Sequence, residues 1–126
     1  MKKKTREITI GETIYAYVIN EKYNQGMSEI SLVISFKERK NITCSYLFCT
    51  WDDPIMGSPL LVGIPLKNLE TETFEKFNLN YPKIVKKLVM FGLKNGWNET
   101  TRLEFNDGLG ILSQLGYEVD HLMCRD

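Results

Sequence analysis

The sequence predicts an α+β domain: a mostly antiparallel sheet of five to six strands, with one main amphipathic helix (about 82–95) packed on one face and a short C-terminal helix. Three observations predict it. Apolar residues recur at period two between Ile30 and Phe48, a helical stripe begins at Pro82, and two Gly-then-aromatic stops, Gly96-Trp97 and Gly116-Tyr117, follow apolar-periodic segments. The chain has 126 residues, 43% hydrophobic and 25% charged, which suits a single domain over 1–126 with a core of its own.

The strands come first. Ile8 and Ile10 alternate with Thr9, Gly11-Glu12 supplies a two-residue turn, and Thr13 to Ile19 continues the β-rich run, so the two segments form a hairpin. A polar break spans Asn20 to Gly26. Ile30, Leu32, Ile34 and Phe36 then share one face, opposite Glu29, Ser31, Val33, Ser35 and Lys37. After a charged turn at Lys37 to Asn41, residues Ile42, Cys44, Tyr46 and Phe48 alternate with Thr43, Ser45 and Leu47. Four such segments make an antiparallel meander with one apolar face.

Asp52-Asp53-Pro54 and Gly57-Ser58-Pro59 punctuate a loop, and Leu60 to Ile64 reads as a short fifth strand ended by Pro65. Lys67 to Asn80 fits neither template, although Phe74, Phe77 and Leu79 need burial. Pro82 suits the first position of a helix, where its missing N–H costs nothing. From there Ile84, Val85, Leu88, Val89, Phe91 and Gly92 share one side, and Lys83, Lys86, Lys87, Met90 and Lys94 the other. Gly92 on the apolar side permits close approach to the sheet, and Gly96 with Trp97 closes the helix. Thr100 to Phe105 alternates as a strand. Asn106-Asp107 caps a short helix that turns Leu109, Leu112 and Leu115 inward or, alternatively, Asp107-Gly108 turns a hairpin. The predicted core includes Ile14, Ile30, Leu32, Ile34, Phe36, Tyr46, Phe48, Ile84, Leu88, Phe91, Trp97, Leu112 and Leu115.

Sixteen Lys and Arg balance sixteen Asp and Glu. A formal charge of zero argues against nucleic acid as a partner, because phosphate-binding domains draw most of their affinity from a basic excess. The basic start at Lys2, Lys3 and Lys4 has no apolar region behind it, so neither a signal peptide nor a membrane span is expected. Three cysteines fit a reducing compartment, and the expected location is cytoplasmic. Homodimerisation through an exposed sheet edge is compatible with the neutral charge.

A single histidine, His121, removes multi-His metal sites and two-imidazole mechanisms. Cys44, Cys49, His121 and Cys124 are the ligand types zinc prefers, but on one strand positions 44 and 49 face opposite ways about 16 Å apart. No metal or other cofactor is therefore expected. Glu70 with Glu72 reads as a solvated flank. Two candidate surfaces remain. Trp51, Asp52, Asp53 and Met56 combine an aromatic anchor, two acids and apolar bulk at a strand end, the composition of a partner-binding loop. Lys83, Lys86, Lys87 and Lys94 form a basic helix face, suited to an acidic partner, to a phosphate backbone or simply to water.

Tyr81-Pro82-Lys83-Ile84-Val85-Lys86-Lys87, running to Gly92-Leu93-Lys94-Asn95-Gly96-Trp97, resembles a signature in small uncharacterised bacterial α+β proteins, in which a few strands precede one helix ending in Gly-Trp. Such proteins are of the type found as immunity proteins of toxin systems. The resemblance covers residues 81–97 and carries no catalytic residue across. The expected function is a non-catalytic protein-binding module, most concretely a toxin-neutralising, immunity-type protein with a protein partner. The competing expectation is a small enzyme or ligand-binding protein with a pocket between sheet and helix, using Asp52, Asp53 or Cys49.

Overall fold

The computed structural model describes residues 5–24, 26–51 and 58–122. Four consecutive antiparallel strands, β1 (Arg6–Ile10), β2 (Thr13–Asn24), β3 (Met27–Phe36) and β4 (Arg39–Trp51), form most of a five-stranded sheet. The fifth, β7 (Leu103–Phe105), lies parallel to β4, giving the order β1-β2-β3-β4-β7. Alternation decides which face is the core. Ile30, Leu32 and Ile34 on β3 pair across to Phe48, Tyr46 and Cys44 on β4, and all six are fully buried.

The expected single sheet of five to six strands is not what forms. Among the described residues there are seven strands in two sheets, with three α-helices and one 3₁₀ turn. The second sheet pairs β5 (Ile64–Asn68) with β6 (Thr73–Phe77). Leu60 to Ile64, expected as a strand, instead begins with α1 (Pro59–Val62). The cause is local: Ser58 Oγ accepts the Leu60 N–H, and Pro59 takes the first helical position. Pro65 then sits inside β5 instead of ending a strand, which a two-stranded ribbon tolerates because only one side of β5 needs its ladder.

Other boundaries differ for equally physical reasons. The polar break expected at Asn20 to Gly26 is strand down to Asn24, because β3 continues opposite it and supplies the backbone partners. The turn expected over Lys37 to Asn41 shortens to Lys37-Glu38, and a register shift next to Phe36 absorbs the surplus residues of β4. Ile14, assigned to the core, is 37% exposed: the core face of β2 is set by Tyr15 and Tyr17, so Ile14 points away. Phe74, expected to need burial, is 70% exposed on β6, while Phe77 and Leu79 are buried. The strand expected at Thr100 to Phe105 is confined to Leu103–Phe105.

The helices cover the core face. α2 (Pro82–Lys94) buries Ile84, Val85, Leu88, Val89 and Gly92 and ends at Asn95. Gly96 adopts φ +114, and the Trp97 N–H reaches back 2.9 Å to the Gly92 carbonyl, so the chain reverses and delivers the indole to the core. Trp97 packs 4.5 Å from Phe36 between ring centroids and donates its ring N–H to the Ile42 carbonyl. α3 (Gly108–Gln114) starts at Asp107, whose carboxylate accepts the Gly110 N–H, which settles helix over hairpin. Leu109, Ile111 and Leu112 are buried, whereas Phe91 and Leu115, assigned to the core, are only half-buried against it.

Candidate functional site

α2 and α3 together carry Lys83, Lys86, Lys87 and Lys94 and no acidic residue. The chain's zero net charge therefore hides a segregation: this helical layer is +4, and the balancing carboxylates lie elsewhere. All four lysines are exposed. The ion pairs among the described residues, Lys37 with Glu7 and Arg39 with Glu99, involve none of them. Lys87 alone is anchored, its Nζ donating to the Tyr117 hydroxyl at 2.5 Å. An unpaired cation on an exposed helix is ordinary; four on one face, with no acid within α2 or α3, concentrate positive charge there.

Beneath the lysines lies an open groove of ≈1160 Å³ along α2 and the end of α3. Phe91, Leu93 and Leu115 give it an apolar lining, and Met90, 48% exposed, stands among the cations. Its position follows from the fold. Phe91 packs edge-on against Phe105 of β7, at 5.5 Å between ring centroids, and Tyr117 meets Phe77 of β6 in the same manner. The Lys87–Tyr117 contact ties α2 to the segment that follows α3. The lysine face was legible in the sequence, but the groove was not, because Phe91 and Leu115 read as core. The available signal was Leu115 itself, placed just before the Gly116 stop, where a helix end leaves its last apolar side chain half covered.

At Gly92 α2 lies directly against β4. A Cβ on Gly92 would stand 2.7 Å from Cys44 Sγ and 3.4 Å from the Tyr46 hydroxyl, so helix and strand meet at the closest approach a glycine allows. The Tyr46 hydroxyl donates to the Leu88 carbonyl, and burial pushes both titratable groups up: the Cys44 thiol to about 11, partly offset by its hydrogen bond with Tyr46, and the Tyr46 phenol well above its ordinary value, with Cys44 adding to the effect. These groups stay neutral at physiological pH and pack as core.

Trp51 lies at the end of β4 opposite Met27, half-buried, on the face of the large sheet turned away from the helices. Asp52, Asp53 and Met56 lie outside the described residues. Trp51 and the four lysines thus lie on opposite faces of the large sheet. Cys44 is buried and Cys49 exposed on opposite sides of β4, so they do not converge on one ion, and Cys49 does not face the helix layer. Cys124 and the side chain of His121 lie outside the description. Among the described residues there is no group of three or more His, Cys, Asp or Glu side chains placed to hold a metal.

Among the described residues no helix is long and apolar enough to cross a membrane. Compared with known proteins, the chain matches no family model, no curated protein and no solved structure.

Proposed function

We propose that this protein is a non-catalytic protein-binding module that receives its partner on the lysine-rimmed groove of α2 and α3. The observation that carries the reading is the pairing of a half-buried apolar floor with four lysines in a layer that contains no acid. Apolar floor supplies affinity and charge supplies specificity and approach rate, the division of labour expected of a binding surface. The size of the groove supports a polypeptide occupant, since drug-sized ligands occupy about 300–1,000 Å³ of enclosed pocket and this space is larger and open. Toxin neutralisation is the concrete form we retain, with a toxin bearing an acidic, apolar-striped surface. The setting we propose is cytoplasmic, supported by an odd count of three cysteines.

The experiment is comparative capture from native lysate with three baits: the wild-type chain, Lys83→Glu with Lys86→Glu and Lys94→Glu, and Trp51→Ala. A stoichiometric protein held by the wild type and by Trp51→Ala, but lost from the lysine variant, supports the groove. Retention by the lysine variant with loss from Trp51→Ala contradicts it and moves the surface to the end of β4.

A further inference from the structure

We infer that the groove's occupant is an acidic amphipathic α-helix of the partner protein, laid along α2 with its apolar stripe on Met90, Phe91 and Leu115 and its carboxylates on the lysines. This rests on the protein-binding reading above and specifies what kind of segment binds.

The lysines are arranged along a line, not around a point. Lys83 to Lys94 spans about 16 Å of helix axis, and Lys86 and Lys87 fall one turn along it. A small anion would meet one or two of these charges and leave the others as they were. A helix presents side chains at the same axial rise as the one it packs on, so carboxylates at three- and four-residue spacing meet successive lysines. At 100° per residue, Met90 lies within about 60° of all four lysines, which centres a flexible, polarisable side chain under the partner's apolar stripe. Phe91 and Leu115 stand on either side of the α2–α3 gap, and a groove between two helices is the shape that a third helix fills.

Other polyanions fit less well. A helix lying on an anionic membrane projects a broad apolar face toward the lipid, but here Phe91 and Leu115 are half-buried and the cations surround the one exposed apolar side chain. Single-stranded nucleic acid needs exposed aromatic rings between the charges; Phe91, the aromatic within the lysine segment, is engaged with Phe105, and the Tyr117 ring beside Lys87 is buried.

The test uses the full chain and a fluorescein-labelled synthetic 18-residue peptide with a leucine stripe flanked by glutamates. A scrambled isomer of identical composition, vesicles containing phosphatidylserine, and a single-stranded oligonucleotide serve as competing probes. The inference expects saturable anisotropy with the amphipathic peptide and gain of peptide helicity by circular dichroism. Binding should be at least tenfold weaker for the scrambled isomer and for Lys83→Glu with Lys94→Glu, and be retained by Lys83→Arg with Lys94→Arg, which reports on folding. Equal binding of the scrambled isomer overturns it, as does preference for vesicles or oligonucleotide. If the lysine variant loses a captured protein while the amphipathic peptide fails to bind, the helix inference falls and the groove reading stands. If capture survives the lysine variant, the groove reading itself falls.

Discussion

On its inner side α2 approaches β4 so closely that Gly92 has no room for a Cβ beside Cys44, whereas on its outer side Lys83, Lys86 and Lys94 meet no carboxylate among the described residues. One helix thus has a face held by packing and a face on which, among the four lysines, only Lys87 is held, by the Tyr117 hydroxyl. The inner face holds the domain together through Leu88, Val89 and the Tyr46 hydroxyl. The outer face contributes nothing comparable, since exposed charges away from specific partners change stability by at most a few tenths of a kcal/mol. Substitutions on the two faces should therefore separate cleanly into losses of stability and losses of binding.

The largest effect is expected at Leu88, which is fully buried under the helix. Leu88→Ala should lower the unfolding free energy by about 2–5 kcal/mol in denaturant titration, and a loss under ~1 kcal/mol would contradict the tight inner face. Next comes pH. The folded chain holds the Cys44 proton up to about 11, while the unfolded thiol releases it near the ordinary value of 9.0, so unfolding releases a proton and base favours it. Stability should be level through neutral pH and fall between pH 9 and 11 by on the order of 2–3 kcal/mol. The Tyr46 phenol, raised in the same direction, adds to this loss. Cys44→Ala should flatten the first part of that decline.

A smaller effect belongs to Gly92→Ala, which sets a methyl 2.7 Å from Cys44 Sγ. Overpacking of this kind costs about 1–3 kcal/mol, and an unchanged midpoint in thermal melting would show that α2 can lift from β4. The smallest effect sharpens the comparison from the other side. Lys83→Glu with Lys94→Glu should shift stability by less than ~0.5 kcal/mol, because no described ion pair is lost. A larger destabilisation would mean that the outer face serves the fold after all.

How far the sequence speaks differs along the chain. On β3 Glu29, Ser31 and Ser35 mark the face opposite Ile30, Leu32, Ile34 and Phe36, with Val33 the one apolar residue among them, and α2 has enough turns for its stripe to be unmistakable. Ile14 to Ile19 is apolar throughout, and nothing local says whether Ile14 or Tyr15 faces in; the pairing of Tyr15 with Phe36 decides it. Leu60 to Ile64 is short enough to be either a buried strand or a helical turn, although Ser58-Pro59 carried the capping signal that decides for helix. Two sheets instead of one, and β7 parallel to β4, depend on contacts remote in sequence that no local pattern encodes. The site divides in the same way. The lysines follow from helical periodicity, but the groove needs Leu115 brought beside Phe91 by the packing of α3, and that is a property of the assembled fold.

The most direct test of the account is a two-dimensional amide NMR titration of the ¹⁵N-labelled chain with the acidic amphipathic peptide, because it reports on both faces of the large sheet at once. The account predicts shifts concentrated in Lys83 to Asn95 and at Gln114 and Leu115, with Met27 and Trp51 unmoved. Shifts centred on Met27, Cys49 and Trp51, with the α2 amides unchanged, would contradict it.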